Sequence, residues 1–265
     1  MKDKIKNEKK MKWPEWIMFI RHDVSSYNML KTIKKKDKLY SEFLNEIKIN
    51  PASEKAKTLA KIIANKYCLS VSDCNTPLAD NGKIAKAVGK KLKNKFDTPD
   101  VIFVSPYLRT KETLKNITKN WPALKKVKVI EDERIREQEH GLVTIYNDRH
   151  VFDVLFPEQK KLYDKEGRYW YRFPQGENVP DVRLRNRSWL SSLVRDFSNK
   201  KILVVTHGLN IIATRANLER FGADDFIKID KNDTPINCGV TLYKGNINKG
   251  KEGHLELKYY NKKLY

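Results

Sequence analysis

The stretch Trp16-Ile17-Met18-Phe19-Ile20-Arg21-His22 decides how the rest of the chain is read. Five consecutive apolar side chains suit a strand buried on both faces of a sheet, where alternation between core and solvent is lost. The run stops abruptly at an arginine and a histidine. Similar runs occur at Val101–Val104, Val127–Ile130 and Ile202–Val205, and between them lie helix-like segments at 52–67, 81–95, 107–120, 179–197 and 209–221. Strands alternating with helices predict a three-layer α/β/α sandwich with a mostly parallel central sheet. Val240–Tyr243 and His254–Tyr260 read as a closing hairpin, joined by a Gly- and Asn-containing stretch.

The chain has 265 residues, with 5 Trp, 12 Tyr and 10 Phe, which excludes disordered, collagen-like and low-complexity classes. We expect a loose basic arm over residues 1–12. One domain over 13–265 should follow, interrupted by a helical insertion at about 29–75. The apolar run between Glu15 and Arg21 is shorter than the roughly 7–15 residues of a signal core. No stretch approaches the ~20 apolar residues of a membrane span. Cys68, Cys74 and Cys238 are odd in number and lack CxxC spacing, which argues for a reducing compartment and against a zinc site or disulfide framework. The expectation is a cytoplasmic protein with no membrane partner.

The net charge of +21 first suggests a polyanion partner. The basic residues are mostly Lys, however, and are spread along the whole chain, whereas phosphate and base readers favour Arg forks. A positive field that draws in anionic substrates is the reading preferred over nucleic-acid binding.

Ligands of open α/β sheets bind beyond the carboxyl ends of the strands. The residues that follow each apolar run are therefore the informative ones. Arg21-His22-Asp23 follows the first, Ser105-Pro106-Tyr107-Leu108-Arg109 the second and Thr206-His207-Gly208 the last. Parallel strands would put two histidines and two arginines on one edge. Ser105 reads as a helix N-cap with Pro106 at the first helical position.

Four motifs occur in order: Arg21-His22-x-x-Ser25-x-x-Asn28, Ser105-Pro106-x-x-Arg109-x-x-x-Thr113, Arg136-Glu137-x-x-x-Gly141 and Thr206-His207-Gly208. Weaker matches are Thr76-Pro77-Leu78, Pro174-Gln175-Gly176-Glu177 and Asn237-Cys238-Gly239. The set, over roughly 16–245, resembles the histidine phosphatase superfamily, the phosphoglycerate-mutase-like proteins. That resemblance implies a phosphomonoester hydrolase that needs no metal or cofactor and acts on a small phosphorylated substrate. His22 would be the nucleophile that becomes phosphohistidine, and Glu137 the general acid and base. Arg21 and Arg109 would clamp the phosphoryl group, His207 would be a second, proton-bearing donor, and Ser25, Asn28 and Gly208 would bind substrate.

Alternatives are a phosphoglycerate mutase using the same site, or a catalytically weak member that holds polyanions on its basic surface. The mutases carry a Phe-x-Gly-Trp-type stretch after the first motif, and this chain has none. The chain also has Asp23 where the family usually has Gly, and we expect its carboxylate to point away from the phosphate. Glu139 and His140 are expected in surface ion pairs, and Arg183, Arg185 and Arg187 on a solvated helix face. Tyr169, Trp170 and Tyr171 read as core or as pocket rim.

Overall fold

The computed structural model describes residues 10–265. Most of the basic arm expected over 1–12 therefore lies outside the described residues. Of its last residues, Met11 is buried and the Lys12 amide donates to the Glu252 carbonyl (3.0 Å).

The chain runs β1 (Trp16–Arg21), α1 (Ser26–Lys34), α2 (Lys38–Ile49), α3 (Glu54–Lys66), α4 (Lys83–Lys93), β2 (Val101–Val104), α5 (Leu108–Asn120) and β3 (Lys128–Glu131). It continues through α6 (Val143–Tyr146), α7 (Arg149–Leu155), α8 (Pro157–Trp170), α9 (Val179–Asp196), β4 (Lys201–Thr206), α10 (Gly208–Leu218), α11 (Ala223–Asn232), β5 (Val240–Asn246) and β6 (His254–Lys262). The sheet order is β3-β2-β4-β1-β5-β6. The first four are mutually parallel, and β5 and β6 close the sheet as an antiparallel pair.

The apolar runs are continuous because both faces of the inner strands are covered. On one face Met18, Ile20, Ile102, Leu203 and Val205 pack under α4 and α5. On the other, Ile17, Phe19, Phe103, Ile202 and Val204 meet Trp189 and Leu193 of α9 and Ile211 of α10. This is the expected three-layer sandwich. The segment expected to be helical, 29–75, carries α1 to α3, which build a separate core of Tyr40, Phe43, Leu59 and Ile63 with Val151 and Val154 of α7.

A buried ion pair ties this helical layer together. Lys34 Nζ reaches Asp148 Oδ2 (2.6 Å) and the Asn147 carbonyl (2.8 Å), and Tyr40 Oη donates to the same carboxylate oxygen (2.7 Å). The other oxygen, Oδ1, caps α7 through the His150 amide (2.8 Å).

One local expectation is corrected. Ser105 does not cap α5, whose N-cap is Tyr107. The Ser105 amide continues the sheet by donating to the Val205 carbonyl (3.1 Å), which delays the helix by two residues.

Candidate active site

The register of β1 on β4 builds the site. Arg21 pairs with Thr206, and the His22 amide donates to the Thr206 carbonyl (2.9 Å), so His22 and His207 leave the sheet side by side. Their ring centroids are 5.3 Å apart. Arg109 comes from the first turn of α5, after β2, and Glu137 from the loop beyond β3. A cavity of about 430 Å³ opens here, lined by Arg21, His22, Asn28, Arg109 and Glu137 among others. It falls within the usual size of small-ligand sites, about 300–1,000 Å³.

His22 is buried, and its Nδ1 lies 2.7 Å from the Asp23 carbonyl. A carbonyl only accepts, so Nδ1 carries the proton and Nε2 carries the lone pair. Burial, reinforced by Arg109 and Arg21, holds the imidazole well below its ordinary pKa and keeps it neutral. Burial pushes the Glu137 carboxyl up, against the pull of Arg109. Its Oε1 accepts only the Gln138 amide (3.1 Å).

His207 is fully buried behind this wall, with Nε2 2.7 Å from Ser105 Oγ and Nδ1 without a partner. Burial and Arg109 hold it well below its ordinary pKa. Gly208 opens α10 beside the Arg21 side chain and is not on the cavity wall. Arg21 Nη1 donates to the Pro235 carbonyl, and its buried Nε is free.

Ser25 and Asn28 form the capping box of α1. Asn28 Oδ1 accepts from the Ser25 amide (3.2 Å) and hydroxyl (3.1 Å), and the Asn28 amide donates to Ser25 Oγ (3.2 Å). The Ser25 hydroxyl thus serves the helix start, whereas Asn28 Nδ2 has no acceptor among the described residues. Asp23, the departure from the family pattern, points away from the cavity. Its Oδ1 accepts from the Val24 amide (2.7 Å) and its Oδ2 from the Ala85 amide (2.8 Å), in the first turn of α4. It does the capping that Gly82 at that helix start cannot do.

Several residues escaped the sequence reading. Asp73 grips Arg109: Nη1 donates to its carbonyl (2.6 Å) and to Oδ1 (2.9 Å), in the turn before α4. Asn237 Nδ2 bridges the His22 carbonyl (3.0 Å) and Asn28 Oδ1 (3.1 Å). The Tyr107 ring lies under the Arg109 guanidinium and meets His207 edge to face. Glu139 does pair with Arg136 at the surface (2.9 Å). His140 does not: it lines the cavity against Phe173, and burial pushes its pKa down to about 3.

Arg185 is another correction, because it is enclosed with Glu177 against the acid's loop rather than solvated. Arg183 is also engaged, with Tyr169 Oη (2.6 Å). Tyr169 and Tyr171 are core, while Trp170 is exposed. Among the described residues, no group of three or more His, Cys, Asp or Glu is placed to hold a metal ion, and no helix is long and apolar enough to cross a membrane.

Residues 62–248 match the family model described as histidine phosphatase superfamily (branch 1). The chain belongs to that superfamily. The matched region contains Arg109, Glu137 and His207 but begins after Arg21 and His22, which β1 brings to the same edge. Among curated histidine phosphatase relatives, the chain is 30% identical over 174 residues to phosphoglycerate mutase-like protein AT74H of Arabidopsis thaliana. It is 35% identical over 111 residues to the phosphoglycerate mutase-like protein AT74 of the same plant. These matches span 58% and 42% of this chain, but only 59% and 33% of the relatives' own lengths.

The fold is shared with solved phosphatases. A mycobacterial glucosyl-3-phosphoglycerate phosphatase, in complex with VO3, has a TM-score of 0.60 at 18% identity, over 93% of this chain and 99% of that one. A phosphoserine phosphatase from Entamoeba histolytica, in complex with 3-phosphoglyceric acid, scores 0.57 at 19% identity, over 93% and 96%.

Proposed function

We propose that the chain is a metal-independent phosphomonoester hydrolase that works through a phosphohistidine on His22. The observation that carries this reading is the His22 imidazole itself. It is neutral, its Nδ1–H is held by the Asp23 carbonyl, and its Nε2 lone pair is left free between two arginines. Nε2 attacks phosphorus while the bond to the leaving oxygen breaks. Glu137, whose proton affinity burial raises, delivers a proton to that oxygen and the alcohol departs.

The Glu137 carboxylate then removes a proton from water. The water oxygen attacks phosphorus, the P–N bond breaks, and inorganic phosphate and neutral His22 are regenerated. Arg21 and Arg109 neutralise the phosphoryl oxygens through their forks, and Asn28 Nδ2 adds a donor. His207 gains proton affinity as the dianion enters. Phosphorylated small molecules named with the structural relatives fit a cavity of this size. The free thiols Cys68, Cys74 and Cys238 support a reducing, cytoplasmic setting.

The test is phosphate release from a panel of phosphomonoesters in EDTA, wild type against His22→Ala, with acid-labile phosphoenzyme trapped in parallel. Activity and phosphoenzyme that survive the chelator and vanish in the variant are expected. Activity lost to EDTA, or retained in the variant, overturns the mechanism.

A further inference from the structure

Arg185 projects from α9 onto the segment that carries Glu137, and every one of its five N–H groups has an acceptor. Nε donates to Glu177 Oε1 (2.8 Å). Nη1 donates to the carbonyls of Arg134 and Arg136 (2.8 Å each). Nη2 donates to the Glu137 carbonyl (2.9 Å) and to Glu177 Oε2 (3.0 Å). A guanidinium has five such protons in a fixed plane, so this one is saturated.

Glu177 completes the clasp from its own loop. Its Oε1 also accepts from Arg136 Nη2 (3.1 Å) and its Oε2 from the Glu139 amide (3.1 Å). The Glu177 amide donates to the Glu139 carbonyl (2.8 Å), and Gln138 Nε2 donates to the Glu177 carbonyl (2.7 Å). The two loops meet backbone to backbone: a Cβ on Gly176 would stand 2.6 Å from the Glu139 carbonyl.

The segment after Ile135 belongs to no helix or strand until α6. Its carbonyls need donors from elsewhere, and Arg185 supplies them at Arg136 and Glu137, as well as at Arg134 in the turn just before. Among the described residues the Glu137 side chain has one hydrogen bond, from the neighbouring amide. Where its carboxyl stands is therefore set by where its backbone is held.

We propose that Arg185, with Glu177 as its counter-ion, is a positioning residue that fixes the backbone of Glu137 so that the carboxyl meets the leaving oxygen. This rests on the reading of Glu137 as the general acid. Misplacing a reacting group by about 1 Å can cost on the order of 10²-fold. Lysine cannot substitute, because an ammonium lacks the planar fork that spans three carbonyls and a carboxylate.

The experiment exploits leaving-group basicity. A 4-nitrophenolate departs with little help from a proton, whereas an alkoxide needs one. kcat/KM, which here reports phosphoryl transfer to His22, is measured for 4-nitrophenyl phosphate and for an alkyl phosphate such as glycerol phosphate. The variants are Arg185→Lys, Glu177→Gln and Glu137→Gln, each with its thermal unfolding recorded. Glu177→Gln keeps an acceptor and the side-chain shape, so it stands in should Arg185→Lys fail to fold.

The expected result is a loss of about 10²-fold for the alkyl ester in Arg185→Lys, a smaller loss in Glu177→Gln, and at most a few-fold change for the aryl ester in either. Equal losses on both esters, or none, in the clasp variants while Glu137→Gln remains selective would overturn the positioning role and leave the acid in place. Absence of selectivity in Glu137→Gln would overturn the acid assignment, and the positioning role with it.

Discussion

Replacing Asp23 by Asn should cost stability and leave the chemistry intact. The carboxylate accepts two amide protons, from Val24 (2.7 Å) and from Ala85 in the first turn of α4 (2.8 Å), and is almost wholly buried. An asparagine can offer its oxygen to only one of them and must turn an NH2 toward the other. Loss of a helix cap costs about 0.5–2 kcal/mol, and a hydrogen bond to a charged group is worth about 1.5–3 kcal/mol. A net destabilisation of about 2 kcal/mol follows. For a chain of this size, about 2–4 °C per kcal/mol translates it into a Tm lower by roughly 4–8 °C.

The backbone carbonyl of residue 23 that holds His22 Nδ1 is unchanged by the substitution. kcat/KM at a temperature well below the transition should therefore stay within a few-fold of wild type. Scanning calorimetry and steady-state kinetics on the same preparation separate the two. An unchanged Tm with a rise of tenfold or more in phosphate-ester affinity would refute the reasoning, since it would mean that the carboxylate opposes the substrate and does not cap the helix.

Two further outcomes are expected. Burial raises Glu137 and lowers His22, with Arg109, Arg21 and Asp73 facing the acid. kcat/KM for an alkyl phosphate should fall as pH rises through the raised Glu137 pKa, and should not fall on acidification through the ordinary histidine range near about 6.5. A pH profile that climbs through that range would contradict a neutral resting His22. Lys34→Ala strands the buried Asp148 carboxylate, whose partner Nζ lies 2.6 Å away with both side chains at most 5% exposed. Breaking such a pair costs about 3–5 kcal/mol, which calorimetry should report as a Tm lower by roughly 6–20 °C; an unchanged Tm would show that the pair contributes nothing.

The sheet and the histidine edge were legible because each inner strand is buried on both faces. Trp16–Ile20 and Ile202–Val205 therefore advertise themselves as unbroken apolar runs, and the residues after them must stand at one edge. What escaped depends on contacts between segments remote in sequence. Ser105 carries the local signature of a cap, but its amide continues the sheet and its hydroxyl meets His207. Arg185 looks like one of a row of solvated arginines on an amphipathic helix, since periodicity cannot show that a loop from residues 134–139 docks on it. The acidic Glu177 shortly before the helix was the available hint of a buried partner. Asp73 and Asn237 lie in turns whose position against Arg109 and His22 only the folded chain reveals.

The cavity has two walls of different origin. His22, Arg21 and Arg109 stand on the sheet edge and its first helix turns, backed by the cores on either side of the sheet. Leu69 and Val71, in the loop after α3, and Ile145, in α6, line the cavity from elements next to the core of α2, α3 and α7. The two walls thus lean on separate hydrophobic cores. Under the proposed phosphoryl transfer, a library confined to Leu69, Val71 and Ile145 changes the far wall of the cavity while His22, Arg21 and Arg109 stay registered to the sheet, which makes the chain a starting scaffold for altered selectivity.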